Sequence, residues 1–223
     1  MEITPVAYFH SPFPSKFGLP RQSGLSTNLT GHIIFEKEYR DPSALRGLEG
    51  FDYLWLLWEF SGNRRAKKSL TVRPPRLGGN VQMGVFATRS PFRPNNLGLS
   101  AVKIDRIDLQ TAHGPVIHVL GADLMDGTPI YDIKPYLRDA DAYPEARSGF
   151  ADTVDWQPLE VDFPARLRQG LTAEQVETLM ETLRLDPRPP YQEEPERIYG
   201  MPFDGRDIRF RISNGRLTVV EVV

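Results

Sequence analysis

Arg89 and Arg93 stand four residues apart in the segment MGVFATRSPFRPNNLGLSAV (83–102), where Pro91, Pro94 and Gly98 stiffen or bend the chain. A guanidinium is a planar fork of donors that matches a phosphate or a carboxylate, and the nearby Asn95 can both donate and accept. A second group lies in DLMDGTPIYDIKPY (123–136). There Asp126-Gly127 makes a tight turn, and Asp132, Lys134 and Tyr136 then alternate along one strand face, where ionisable groups could handle a proton. Two more loops hold polar groups on stiff frames. KFGLPRQSGL (16–25) carries Arg21 and Gln22, and TVRPPRLGGN (71–80) carries Arg73 and Arg76 around a Pro pair. Each group also has a plain structural reading, as a surface turn, a solvated loop or the solvent face of a strand.

Charge separates these readings. Ser61 to Ile104 spans 44 residues with nine Lys or Arg, among them Arg64, Arg65, Lys67 and Lys68, and no Asp or Glu. The net charge is -2, so the rest of the chain carries -11. A basic stretch in an otherwise acidic molecule attracts an anion, and a phosphate backbone is the commonest large one.

Composition removes other chemistries. With no Cys, there is no cysteine nucleophile, Cys-zinc site or disulfide, and His10, His32, His113 and His118 have no metal-binding spacing. No metal is expected. No two Gly are separated by a single residue, so a G-x-G dinucleotide loop cannot be built, and Walker A and G-x-S-x-G sequences are absent. No apolar run reaches the roughly 18–20 residues that cross a bilayer, and MEITPVAY lacks the regions of a signal peptide. The expectation is a soluble, cytoplasmic protein.

The positioning elements are mostly strands. ITPVAYF, GHIIFEKEY, YLWLLWEF, VQMGVFAT, LSAVKIDRIDL and GPVIHVLGADL alternate or run apolar between turn signals. YLWLLWEF (53–60) is apolar on both faces, which predicts a central place in the sheet. Only DPSALRGLEG hints at a helix, with Asp41 as N-cap. Many strands with short connections predict an all-β barrel or sandwich over residues 1–140. A polar linker follows at 141–156, and then a small α+β C-terminal domain at 157–223. In that last part TAEQVETLMETLRLD reads as a helix with a Thr172/Gln175 capping box. DIRFRIS and RLTVVEV, joined by Asn214-Gly215, read as a hairpin.

GVFATRSPFRPN together with DGTPIYDIKPY resembles the TsaA-like family of tRNA methyltransferases. RGLEGFDYLWLLWEF, TVRPPRLGGN and GLPRQSGL are similar to its other shared blocks, in the same order. The resemblance covers about residues 3–140, and DPRPPY (186–191) is similar to a motif of bacterial members. It implies a β-barrel enzyme that uses S-adenosylmethionine to methylate N6 of N6-threonylcarbamoyladenosine at position 37 of threonine tRNA. It also implies a homodimer with the cofactor near the subunit interface. Carried onto this chain, the cofactor contacts are Pro20, Arg21, Gln22, Ser61, Gly62, Arg89, Leu99, Asp126, Gly127, Thr128 and Pro129. The chain departs from the family at Asn96-Leu97 and at Ser61-Gly62.

On this basis Asp132 and Tyr136, with Lys134 beside them, are the candidates for proton handling and for orienting the threonyl group. Arg89 and Arg93 are matched to a carboxylate. The cations Arg64, Arg65, Lys67, Lys68, Arg73 and Arg76, joined by Arg93 and Asn95, are matched to the phosphates of the anticodon stem-loop. Two rival readings are a non-enzymatic RNA-binding β-barrel and a methyltransferase of a small anionic substrate. The first leaves DGTPIYDIKPY unexplained, and the second leaves Arg64 to Arg76 unexplained.

Overall fold

The computed structural model describes residues 2–63, 69–74, 77–78, 80–154, 156–188 and 194–223. Six strands close into a barrel: β1 (Ala7–His10), β2 (Thr30–Phe35), β3 (Tyr53–Glu59), β6 (Leu97–Thr111), β7 (Gly114–Leu120) and β8 (Thr128–Pro135). Their order is β1-β2-β7-β6-β3-β8, every neighbouring pair is antiparallel, and β8 returns to pair with β1. Two short strands, β4 (Thr71–Val72) and β5 (Met83–Gly84), form a separate ribbon.

Alternation decides which residues enter the barrel. On β3, Leu54, Leu56 and Trp58 are buried, while Trp55 and Leu57 face outward and are partly covered. Inside they meet Phe9, Ile33, Val102, Ile117, Val119 and Ile130. A barrel of so few strands is narrow, so large rings need empty positions opposite them. Gly98 supplies one: a Cβ there would lie 2.4 Å from the Trp58 indole. Gly31 supplies another, 2.1 Å from the Phe9 ring.

A second sheet has the order β10 (Tyr199–Phe203), β11 (Arg206–Ser213), β12 (Arg216–Val222) and β9 (Glu160–Asp162), with β9 parallel to β12. Between the barrel and this sheet lie the one-turn α1 (Arg138–Asp141) and a 3₁₀ turn, Gly149–Thr153. Helix α2 (Ala173–Arg184) packs Leu179 and Leu183 onto Met201, Phe203, Ile208, Phe210, Leu217 and Val219. Its predicted capping box is present. Thr172 Oγ1 accepts from Gln175 N at 3.1 Å, and Gln175 Oε1 accepts from Thr172 N at 2.8 Å. The β11–β12 hairpin turns at Asn214 and Gly215, with φ of 50° and 73°, as a tight primed turn requires.

This second core is not built from the C-terminal residues alone. The connection between β1 and β2 contributes Phe13 and Leu29 to it, with Phe17 and Leu19 at its margin. Gly18, at φ 92°, lies so close to Met201 that a Cβ would approach Sδ to 2.3 Å. Glu181 of α2 binds the same connection with both oxygens. It accepts from Ser26 Oγ, Thr27 Oγ1, Asn28 N and Asn28 Nδ2 at 2.9–3.0 Å. Residues 11–29 therefore run as a strap between barrel and second sheet.

The differences from the sequence reading have local causes. VQMGVFAT was expected to be a strand, yet only Met83–Gly84 is extended and Val85–Ala87 forms a 3₁₀ turn. The six barrel strands pair among themselves, which leaves only Thr71–Val72 as a partner. DPSALRGLEG forms 3₁₀ turns, the first capped by Asp41 through Ser43 N at 2.8 Å. Strand β10 escaped notice because YGMPF carries a Pro, tolerated here because β10 is an edge strand. Among the described residues no helix is long and apolar enough to cross a membrane.

Two stability outcomes follow from this packing. Gly98→Ala should cost about 1–3 kcal/mol by overpacking Trp58, read as a melting point lower by a few degrees. Glu181→Ala should cost about 2–3 kcal/mol, since it strips a charged acceptor from four donors. Chemical denaturation of the two variants gives both numbers.

Candidate active site

At one end of the barrel, where β3 ends and β8 begins, a cavity of about 280 Å³ opens between the strap and the loops that follow β3 and β5. The strap contributes Lys16, Leu19, Pro20 and Arg21. The end of β3 and the 3₁₀ turn after it contribute Trp58, Glu59, Phe60, Ser61, Gly62 and Asn63. Arg89 and Pro91 come from the loop before β6, and Asp123, Met125 and Thr128 come from the β7–β8 connection.

Hydrogen bonds tie these segments to one another. Lys16 Nζ donates to Gly62 O at 3.2 Å and to Asn63 Oδ1, linking strap to 3₁₀ turn. Arg89 Nη1 donates to Gln22 Oε1, and Gln22 Nε2 donates to Arg21 O at 2.6 Å. Arg93 turns inward on its own loop, donating from Nη1 to Thr88 O at 2.9 Å and Ser90 O at 3.3 Å. It thus shapes the loop that presents Arg89, which is itself exposed.

The Asp126 to Pro129 turn is split between two sides. Gly127 has φ 72°, which a side chain would strain. Thr128 Oγ1 donates to Met125 O at 2.7 Å, and Thr128 is buried and lines the cavity. Asp126 points elsewhere, with Oδ1 accepting from His10 Nδ1 at 3.1 Å and Ser11 N at 3.3 Å. Pro129 pairs with Tyr8 inside the barrel wall.

Asp123, which lines the cavity together with Glu59, is an acid that sequence reasoning passed over. Asp123 Oδ1 accepts from Ser100 Oγ at 2.6 Å, and Ser100 Oγ accepts from Trp58 Nε1 at 3.0 Å. Ser100 is 2% exposed. Burial pushes the Asp123 carboxyl above the usual carboxylate range. The Ser100 hydroxyl and the nearby Arg89 charge pull the other way. The residue is next to last in the run GPVIHVLGADL, where it reads as a polar residue near the end of an apolar strand. Its three-residue offset from Asp126 in one block was the available signal.

Other predicted residues lie outside this cavity. Asp132 and Lys134 are on the outer barrel face, paired at 2.9 Å with side chains 46% and 71% exposed. Tyr136 sits there against Trp55, its ring centroid 5.6 Å away. Tyr131 is the extra residue of a bulge opposite β3, and its hydroxyl donates to Glu59 Oε2 at 2.7 Å. Leu99 is 58% exposed on the same outer face; Leu57 of β3 is registered with Leu99 on one side and Asp132 on the other. Arg73 and Asn95 are exposed. Arg64, Arg65, Lys67, Lys68 and Arg76 lie outside the described residues, as does the end of DPRPPY.

A second cavity, of about 370 Å³, lies at the seam between barrel and α2, lined by His10, His32, Thr172, Gln175, Thr178 and Asp204 among others. None of the predicted cofactor residues lines it. Among the described residues no group of three or more His, Cys, Asp or Glu could hold a metal ion.

Comparison with known proteins assigns the chain. The family model of the tRNA-methyltransferase O N-terminal domain matches residues 8–142, and that of the TrmO C-terminal domain matches residues 156–223. The Escherichia coli K12 protein named tRNA (adenine(37)-N6)-methyltransferase is 39% identical over 96% of this chain and 94% of its own. A Pseudomonas aeruginosa protein named putative S-adenosylmethionine-dependent methyltransferase RcsF is 38% identical over 93% of this chain and 91% of its own. The crystal structure of TrmO from Pseudomonas aeruginosa superposes with a TM-score of 0.80 at 30% identity, covering 100% of this chain and 98% of that one. Two family models in tandem, a relative aligned nearly end to end and a shared fold agree: the chain belongs to the TrmO family of tRNA methyltransferases.

Proposed function

We propose that this enzyme methylates N6 of adenosine 37 in tRNA with S-adenosylmethionine as donor, and that its substrate is N6-threonylcarbamoyladenosine in threonine tRNA. One observation carries the reading. Pro20 and Arg21, Ser61 and Gly62, Arg89, and Thr128 are far apart in sequence, yet they line a single cavity. The names of the Escherichia coli and Pseudomonas aeruginosa relatives support the reaction class and the donor.

The cavity suits that donor by its mixed lining. Leu19, Pro20, Pro91 and Met125 give apolar contacts for a nucleoside, and Arg89 and Arg21 give cations for an amino-acid carboxylate. When bound there, the donor supplies an electrophilic methyl on a sulfonium. Arg89, held by Gln22, fixes the carboxylate end, while Thr128 and the Ser61-Gly62 turn set the depth of the pocket. Methyl transfer is an in-line displacement, so positioning N6 about 3 Å from the methyl is the main demand on the protein.

The outer face completes the proposal. Leu57 and Leu99, with the exposed Phe86, Phe92 and Leu70 elsewhere on the surface, offer apolar area for a second copy of the chain. In such a homodimer Leu99 of one subunit would approach the partner's cofactor, and Asp132, Lys134 and Tyr136 would face the threonyl group across the interface. Arg73, Asn95 and the basic residues 64–76 would grip anticodon stem-loop phosphates. We assign the catalytic domain to 1–140, a linker to 141–156 and the C-terminal domain to 157–223, and place the reaction in the cytoplasm.

Two measurements test this reading. Methyl transfer should occur with tRNA carrying threonylcarbamoyladenosine and not with the same tRNA unmodified; equal transfer to both would refute the substrate assignment. Arg89→Ala should weaken S-adenosylmethionine binding by about tenfold or more, measured by calorimetry, as expected for loss of a charged carboxylate partner. Unchanged affinity would refute the cofactor site.

A further inference from the structure

Methylating the nitrogen of a carbamoylated adenosine requires that its proton leave. N6 is a weak nucleophile because its lone pair is delocalised, and a base at hand contributes about 10²–10⁴-fold in such steps. The described acids near the cavity can be compared on their surroundings. Asp132 is ion-paired to Lys134 on the outer face, and Asp126 is turned to His10. Glu59 lines the cavity, but its Oε2 already accepts the Tyr131 hydroxyl. Asp123 lines the cavity and is held from behind, through Ser100 and Trp58, by two barrel strands.

Resting on the cofactor reading above, we propose that Asp123 is the catalytic base that takes the N6 proton. As the N6–carbon bond forms, the sulfonium C–S bond breaks and its pair returns to sulfur. The N6–H bond pair stays on nitrogen, and the proton passes to the Asp123 carboxylate. Ser100 is the positioning residue. Its hydroxyl, oriented by the Trp58 N–H, holds Oδ1 and fixes the carboxylate at the cavity wall, where the backbone of Ser23 and of Asp123 itself also bonds it. Burial supports the assignment, because a carboxylate that is costly to keep ionised is a stronger base than a solvated one. Among the described residues, Arg89, Arg21 and Lys16 are the cations that line the same cavity, and Glu59 is its other anion. Of these, Arg89 favours the ionised form of Asp123, against the burial that disfavours it.

The test uses the full-length protein and tRNA carrying threonylcarbamoyladenosine. Asp123→Asn keeps the acceptor for Ser100 and should lower the single-turnover rate by about 100-fold or more. Its affinity for S-adenosylmethionine should stay within about threefold, separating base from cofactor ligand. The wild-type rate should rise about tenfold per pH unit below the Asp123 pKa and then level off, and this limb should vanish in Asp123→Asn. Ser100→Ala removes a hydrogen bond to the anion, so its limb should move to higher pH.

A readout without substrate accompanies these. The folded-state pKa of Asp123 lies above its unfolded value of about 3.9. The native state therefore loses stability as pH rises through that window, and Asp123→Asn should gain on wild type there in thermal melts. An unaffected rate, a rate loss matched by lost cofactor affinity, a limb that persists in Asp123→Asn or stays in place in Ser100→Ala, or no gain in the melts overturns the assignment. If Arg89→Ala also leaves cofactor affinity unchanged, the cofactor site itself is misplaced. If Arg89→Ala loses affinity while Asp123→Asn remains active, only the base assignment fails.

Discussion

Closing six antiparallel strands leaves an interior too narrow for its largest rings to face other side chains, and the rest of the molecule follows from how that limit is met. Trp58 fits because Gly98 opposite has no side chain, so the indole occupies the space a Cβ there would need. Its N–H then falls at Ser100, two residues further along the same inner face. Ser100 in turn holds the carboxylate of Asp123. A packing constraint in the barrel thus reaches the cavity as a defined orientation of one acid. The polar chain runs through the buried interior: Trp58 and Ser100 are 6% and 2% exposed.

A second constraint sets the opposite wall. The strap's apolar side chains pack with the C-terminal sheet in a shared core, and its backbone is tied to the β7–β8 connection at Gly24, Leu29 and Phe13. Phe13 and Leu29 enter that core, Gly18 lets the backbone lie on Met201, and Glu181 closes the contact with four hydrogen bonds. Pro20, Arg21 and Gln22 stand between these anchor points. The C-terminal unit therefore bears on the cavity without contributing a side chain to its lining.

Much of this was legible in the chain itself. Composition and missing fingerprints pointed away from a Rossmann sheet, and alternation pointed to a barrel. Motif blocks located Pro20, Arg21, Arg89 and Thr128, which do converge. What was not legible depends on three-dimensional facing. Period-two spacing put Asp132, Lys134 and Tyr136 on one face, but spacing alone does not say which face looks into the barrel. Arg93 and Arg89 looked equivalent in sequence, yet one spends its donors on backbone carbonyls and the other projects to the cavity. Asp123 was hidden because its role comes from Ser100 and Trp58, which are distant in sequence and become neighbours only through the β3–β6 register. VQMGVFAT failed as a strand because propensity cannot supply a missing partner.

The shared core also orders events in time. Residues 11–29 leave the ribosome early, but the surface that seats them includes Met201, Phe203 and Phe210, translated nearly two hundred residues later. The strap must wait, loosely held, until β10 and β11 have been made. A nascent chain can close its barrel before it can shape its cavity. The cavity wall that carries Pro20 and Arg21 thus takes its support from the elements made last.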